Sequence, residues 1–300
     1  MSRIDIDALD VAGVAALLDL AAAEGWNPGI DDAAAFHAAD PEGFLALRVD
    51  GRFVAGISIV RQGASHGFLG LYIAAPAMRG RGHGIRLWRE ALARARARGL
   101  SDIGLDGVVE RQADYRASGF VLAHRNLRFA GRPVPPGIEP SEAGVTIRSV
   151  AASDAPALAD LDASVGGVRR ERFCRVWLGD EGASRTTLVA VPAGTDGSGA
   201  DEAASPVSGF GTIRRCRSGH KIGPLVAGRA DVAAALVEAL ARTADAREIV
   251  LDVPEPNAAA MALAGDAGLA PVFETARMYL GRAPRIDTGR LYGVATFELG

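Results

Sequence analysis

The chain spells out one order of elements twice, and that repetition narrows its fold more than any single motif. In the first half, Val14, Leu17, Leu18 and Ala21 recur at helical spacing behind Asp10, a capping residue, and a second short helix covers 31–39. Two strand-like runs, 43–49 and 52–60, meet at the hairpin signal Asp50-Gly51, and a third apolar run covers 68–74. A glycine-rich turn then opens a helix over 85–98, with Ile85, Trp88, Leu92 and Ala95 on one face. A strand over 103–109, a short helix over 111–118 and a strand pair from 119 to 129 complete the unit.

Residues 131–144, rich in Pro and Gly, read as a linker. Beyond it come a strand at 146–154, helices at 154–163 and 169–178, and strands at 186–191, 208–214 and 221–227. A helix over 230–242 and a strand over 248–253 follow. Residues 192–206 are small and polar, and read as a disordered hairpin tip. Leu105-Asp106 is echoed by Leu251-Asp252, and Gly119-Phe120 by Gly268-Leu269. The expectation is an internal duplication of an α/β unit, divided as 1–131, a linker at 132–144, and 145–300.

Composition excludes several classes. A net charge of −3 provides no basic field for nucleic acid, and no apolar run is long enough to cross a bilayer. The two cysteines, Cys174 and Cys216, lack metal-ligand spacing, so a reducing cytoplasm with no metal is the expectation. Lys221 is the only lysine, which makes arginine abundant and any Arg/Gly motif cheap.

One such motif stands out by position. Arg79, Gly82 and Gly84 form R-x-x-G-x-G, a pattern expected by chance about 0.5 times in such a composition. Here it follows an apolar strand, comes three residues after Pro76 and opens an amphipathic helix. Free amides at a helix N-terminus suit a pyrophosphate, with Arg79 and Arg81 as additional donors. The competing reading is a purely structural turn with solvated arginines. A Walker loop is excluded because no Lys-Ser/Thr follows, and a Rossmann fingerprint because Gly80, Gly82 and Gly84 are spaced G-x-G-x-G.

With the strand 71–73, the Pro76 spacing, Arg79-x-x-Gly82-x-Gly84 and Tyr115-x-x-x-Gly119-Phe120, the chain resembles the GNAT acyltransferase superfamily over about residues 3–130. The resemblance implies two tandem GNAT-like α/β domains, each a mixed, mostly antiparallel splayed sheet flanked by helices. It implies acetyl-CoA as cosubstrate and direct transfer of an acetyl or other acyl group to a small primary amine. Gly80, Arg81, Gly82, His83, Gly84 and Ile85 would cradle the pyrophosphate with Arg79. Leu71, Tyr72 and Ile73 would line the pantetheine arm, and 103–106 would form the opposite wall. Tyr115 would protonate the departing thiolate, or else simply pack its ring on the core. Asp106 and Glu110 are base candidates by location only; a salt-bridged or solvated carboxylate is the other reading of each. The Asn that commonly precedes the family tyrosine is absent from 109–112.

The second half resembles a GNAT module of the YitH type over about 145–300, with a degraded loop. Only Gly228 remains of the glycines, Asn257 is present, and Ala264 replaces the tyrosine. This half is expected to shape an acceptor pocket near Trp26, Asn27 and Asp31 or to complete a pseudo-dimer; Asp252, Glu255 and Glu274 read as contacts for a cationic acceptor or, equally well, as surface salt bridges. A monomeric pseudo-dimer and a homodimer both fit. The alternative function is a non-catalytic acyl-CoA sensor or scaffold.

Overall fold

A computed structural model describes residues 2–134, 137, 140–179, 184–194 and 206–300. Most of the expected hairpin tip at 192–206, and four linker positions, lie outside the described residues. The first half contains β1 (Ile4–Ala8), α1 (Val11–Ala23), α2 (Asp32–Ala39), β2 (Phe44–Val49), β3 (Arg52–Arg61) and β4 (His66–Ala74). It continues with α3 (His83–Ala97), β5 (Asp102–Val108), α4 (Gln112–Ala117) and β6 (Val121–Gly131). The second contains β7 (Val145–Ser149), α5 (Ala155–Gly166), α6 (Glu171–Leu178), β8 (Arg185–Pro192), β9 (Gly209–Arg215) and β10 (His220–Ala227). After these come α7 (Ala230–Thr243), β11 (Ile249–Pro254), α8 (Ala258–Asp266), β12 (Ala270–Leu280) and β13 (Leu291–Gly293).

Local chemistry accounts for the element ends. Asp10 caps α1 by accepting the Gly13 N–H at 2.8 Å, and Asp50 and Gly51 both take positive φ to turn the β2–β3 hairpin. β1, which the helical reading of the N-terminus passed over, alternates Ile4 and Ile6 with aspartates and pairs with β2 at the sheet edge. The expected strand pair at 119–129 is instead one long strand, β6.

That strand interlocks the halves. All strands form one sheet in the order β1-β2-β3-β4-β5-β12-β6-β11-β10-β9-β8-β7, with β13 against β10. β12 of the second half separates β5 from β6, and β6 lies between β12 and β11. Each half therefore completes the other's sheet. Only β4–β5 and β10–β11 pair in parallel among the described residues, and both pairings are short.

Period-2 alternation sorts the two faces. On one, Leu45, Leu47, Leu69 and Leu105 pack under α3, while Ile249, Leu251 and Val253 pack under α7 and α8. On the other, α1 and α2 share a single core with α5 and α6, centred on Phe36, Phe173 and Trp177. This second face also carries a row of buried charge: Asp106 with Arg277, Arg128 with Asp252, and Arg185 and Arg214 about Asp32.

Candidate acyl-transfer site

The site is built where β4 leaves β5. The two strands pair from His66 with Asp102 to Leu69 with Leu105, and no further pair joins them. Two local causes separate them. Leu71 takes φ +48°, a left-handed conformation costly for a branched side chain, and the β3–β4 register slips between Gly56 and Ser58. β5, for its part, turns to β12, pairing Asp106 with Arg277 and Val108 with Thr275. Leu71, Tyr72 and Ile73 thus edge one side of a slot whose other side is the end of β5.

At the C-terminal end of β4 the chain makes a 3-10 turn (Pro76–Met78) and enters the glycine loop. Gly80 and Gly82 take φ +75° and +79°, and a Cβ on either would meet nothing within 4 Å, so the loop surface is open. None of the N–H groups from Gly80 to Ile85 donates to a described protein acceptor; the first helical bond is Arg86 N–H to the Gly82 carbonyl. No side chain caps α3 and no acid stands in its first turn. Six unpartnered donors at a positive helix end can form an anion cradle.

Arg79 is a structural strut of that loop. Its Nε donates to the Ala74 carbonyl at 3.0 Å and its guanidinium pairs with Glu24 beyond α1. Arg81 is exposed with no described partner, and His83 lies half-buried at the first position of α3. Gly84 admits the Tyr72 hydroxyl, which a Cβ would meet at 2.7 Å. A groove of about 660 Å³ runs down the β1 side of α3 past Arg86 and Arg89 and meets the loop at Gly82 and Ile85. The slot between the strands is a different place.

Tyr115 projects from α4 onto the slot from the α3 face. Its ring stacks on Trp88 at 5.8 Å and covers Gly107 of β5, where a Cβ would stand 2.7 Å from the ring. Burial pushes its phenol up to about 12, with the neighbouring Tyr72 adding to the effect. A phenol so raised stays protonated at neutral pH, which is the state a proton donor requires. Its hydroxyl has no hydrogen-bond partner among the described residues.

The carboxylates named from the sequence are placed differently. Asp106 is fully buried, holds Arg277 through two bonds of 2.7 and 2.8 Å, and accepts from Asn126 at 2.8 Å. With those bonds made it anchors β5 to β12, and three of its four lone-pair sites are taken. Glu110 stands exposed at the end of β5 with no ion pair. Asp252 is bound two-fold by Arg128, and Glu255 and Glu274 share Arg125. Trp26, Asn27 and Asp31 tie the halves together through Lys221, Ser218 and Ser184. Asp252, Glu255 and Glu274 thus each have an arginine partner, whereas Glu110 and Asp31 have no cationic partner among the described residues. Among the described residues no group of three or more His, Cys, Asp or Glu is arranged for a metal.

The second half repeats the geometry and then fills it. β10 pairs with β11 only from His220 to Ile222, and its register against β9 slips between Ile222 and Leu225. Into the opening runs the chain's own β13: Leu291 and Gly293 pair with Val226 and Leu225, and Val294 N–H donates to the Asp252 carbonyl on β11. Asn257 caps α8 and donates to the Leu291 carbonyl at 3.0 Å, pinning the plug. At the start of α7, Asp231 accepts the Val232 N–H at 2.8 Å and pairs with Arg229, so an acid already holds the helix end. Ala264, where a tyrosine would stand, is sealed in the core.

Comparison with known proteins agrees with this duplication. The model of the acetyltransferase (GNAT) family matches residues 13–120, and that of an acetyltransferase (GNAT) domain matches 158–293. The holothin acyltransferase of Pseudoalteromonas sp. (strain SANK 73390) is 27% identical over 281 residues, covering 93% of this chain and 89% of that protein. Among solved structures, a putative acetyltransferase from Pyrococcus horikoshii superposes with TM-score 0.78 at 21% identity, over 99% of this chain and 96% of its own. A tandem GNAT protein from the clavulanic acid biosynthesis pathway superposes with TM-score 0.64 at 16% identity, over 92% and 98%. Two splayed sheets in succession, each matched by a GNAT model, place the chain in the GNAT acyltransferase family as a tandem protein.

Proposed function

We propose that the chain is an N-acyltransferase that moves an acetyl group from acetyl-CoA to the primary amine of a small molecule. Transfer is direct, within a ternary complex in the cytoplasm, and is carried by the first half alone. The observation that carries the reading is the coincidence of the β4–β5 slot with six unpartnered N–H groups at the start of α3.

In this reading the amides of Gly80 to Ile85 hold the pyrophosphate, and the slot edge at Leu71 to Ile73 aligns the pantetheine arm. Amine attack turns the thioester carbonyl into an oxyanion, which a main-chain N–H beside the slot holds; collapse expels a thiolate that Tyr115 protonates. The second half contributes β12 as a slot support and walls the acceptor side. The name of the holothin acyltransferase makes holothin a rational member of an acceptor panel.

The test is a thermal-shift titration with coenzyme A, acetyl-CoA and longer acyl-CoAs, followed by thiol release over a panel of amines that includes holothin. Stabilisation by coenzyme A and amine-dependent thiol release are the expected results. No stabilisation, and no release with any amine, would remove the reading; stabilisation without release would leave a sensor.

A further inference from the structure

α3 and the loop before it carry more positive charge than the slot chemistry uses. Residues 79–98 hold seven arginines and a single carboxylate, Glu90, in a chain whose net charge is −3. Three of these arginines are matched within the protein: Arg79 by Glu24, Arg94 by Glu90 at 2.8 Å, and Arg98 by Asp40 at 2.7 Å. Arg81, Arg86, Arg89 and Arg96 are exposed, and their side chains have no hydrogen bond or ion pair among the described residues. At 3.6 residues per turn, Arg86, Arg89 and Arg96 fall within an arc of about 80°, and they span about 15 Å of helix. Like charges on one stripe repel, and nothing in the chain offsets them.

The stripe borders the groove of about 660 Å³ that leaves the loop at Gly82 and follows α3 to Arg94. Ile4 and Ile6 of the edge strand β1 line it, with Ile85, 47% exposed, at its loop end. Ile4 and Ile6 pack toward the α3 core, so strand alternation turns Asp5 and Asp7 to the other face, away from the arginines. The surface is therefore apolar along its groove and cationic along its rim. It also adjoins the cradle. A donor whose phosphate sits on the Gly80–Ile85 amides sends its acyl arm into the slot, and whatever lies beyond the phosphate meets the surface where this stripe begins. In coenzyme A that part is one nucleotide, whose single further phosphate can meet the arginines of one turn. Nearly three turns of unmatched arginine suit something larger and acidic.

We propose that this surface docks an acidic carrier domain that presents the acyl group on a phosphopantetheine arm, as a donor alongside acetyl-CoA. The phosphate of the arm takes the cradle, acidic side chains of the carrier take Arg86, Arg89 and Arg96, and its apolar side chains take the groove at Ile85, Ile4 and Ile6. This rests on the transferase reading and widens its donor class. The chemistry at the slot is unchanged: the amine nitrogen bonds to the thioester carbon, the C–S bond breaks, the amine gives up a proton, and the arm leaves as a thiol.

The test uses the full chain and three acetyl donors: an acetylated acidic acyl carrier protein of bacterial fatty-acid synthesis, acetyl-CoA, and acetyl-3′-dephospho-CoA. Thiol release gives kcat/KM for each, and calorimetry reads carrier binding separately. The wild type is expected to use the carrier, with kcat/KM falling about tenfold or more between about 0.05 and 0.5 M salt. Arg86→Glu/Arg89→Glu/Arg96→Glu should lower that value by about 100-fold, and Arg96→Glu alone by about tenfold, while Arg96→Glu leaves both coenzyme donors within about twofold. The neutral Arg86→Gln/Arg89→Gln/Arg96→Gln should fall between, with melting temperatures confirming that each variant folds. A carrier that is neither bound nor used where acetyl-CoA is used, or carrier kinetics indifferent to these substitutions, overturns the proposal. So does the pattern of a nucleotide site alone, in which Arg86→Glu weakens acetyl-CoA but not the dephospho form and Arg96→Glu changes no donor. Arginine-dependent carrier binding without release from any donor would sink the transferase reading and leave the docking surface standing.

Discussion

The two halves of this chain reach one backbone solution and put it to opposite uses. In each, a strand slips register and parts from a parallel neighbour, ahead of a helix whose N-terminus faces the gap. In the first half no strand pairs into the gap, and the helix start carries neither an acid nor a side-chain cap. In the second, Leu291–Gly293 satisfy the strand edge with the chain's own main chain, and Asp231 occupies the helix end. Main-chain edges demand hydrogen bonds, so a splayed sheet must be finished by a ligand or by the protein itself. What separates a site from a scaffold here is which of the two finishes it.

The largest expected effect tests the acid proposed for the first half, Tyr115, which has no counterpart at Ala264 in the second. Tyr115→Phe should lower kcat by roughly 10²–10⁴-fold with little change in the acyl-CoA KM, measured by thiol release. Because burial raises the phenol to about 12, it remains a proton donor across the neutral and mildly alkaline range. Any alkaline fall in rate well below that value must then belong to another group, and a limb that vanishes in the Phe variant would contradict the placement.

Next comes the junction between the halves. Asp106→Asn leaves Arg277 buried without its counter-charge and should cost about 3–5 kcal/mol of stability, read by denaturant unfolding. An Asn variant as stable as the parent but inactive would return Asp106 to the list of catalytic candidates.

A third comparison sets one glycine from each loop against the other. Gly84→Val drives a side chain into the Tyr72 hydroxyl beside the anion cradle and should weaken coenzyme A binding by about 10–100-fold, or roughly 1.4–2.8 kcal/mol. At Gly228 a Cβ would meet nothing nearer than 3.8 Å, so Gly228→Ala should leave affinity within about twofold. Equal losses would mean that both halves bind.

The smallest effect concerns the plug. Asp231→Ser frees the end of α7 at a cost under about 1 kcal/mol. Calorimetry should still count one coenzyme A per chain, since β13 continues to fill the gap. Two sites would show that the acid, not the strand, closes the second half.

Much of this was readable from residue order. Hydrophobic period placed α1, α3, α7 and most strands within a few residues, and the loop Arg79-x-x-Gly82-x-Gly84 was found at a helix start that is open. The single strand β6 in place of a strand pair, and the overlooked β1, are misreadings of short apolar alternation near turns. The sequence shows the charge of Arg79 but not its engagement by Ala74 and Glu24. Asp106 was a candidate by location until Arg277, 171 positions away, claimed it.

Local pattern, then, determined the elements, the duplication and the glycine loop, since helix and strand periodicity and helix-end chemistry act over a few residues. Tertiary structure alone decided the strand exchange, which gap a strand fills and which arginine holds each buried aspartate. Those outcomes depend on contacts between residues far apart in the chain, where the partner of a strand edge or a charge is chosen by packing rather than by spacing.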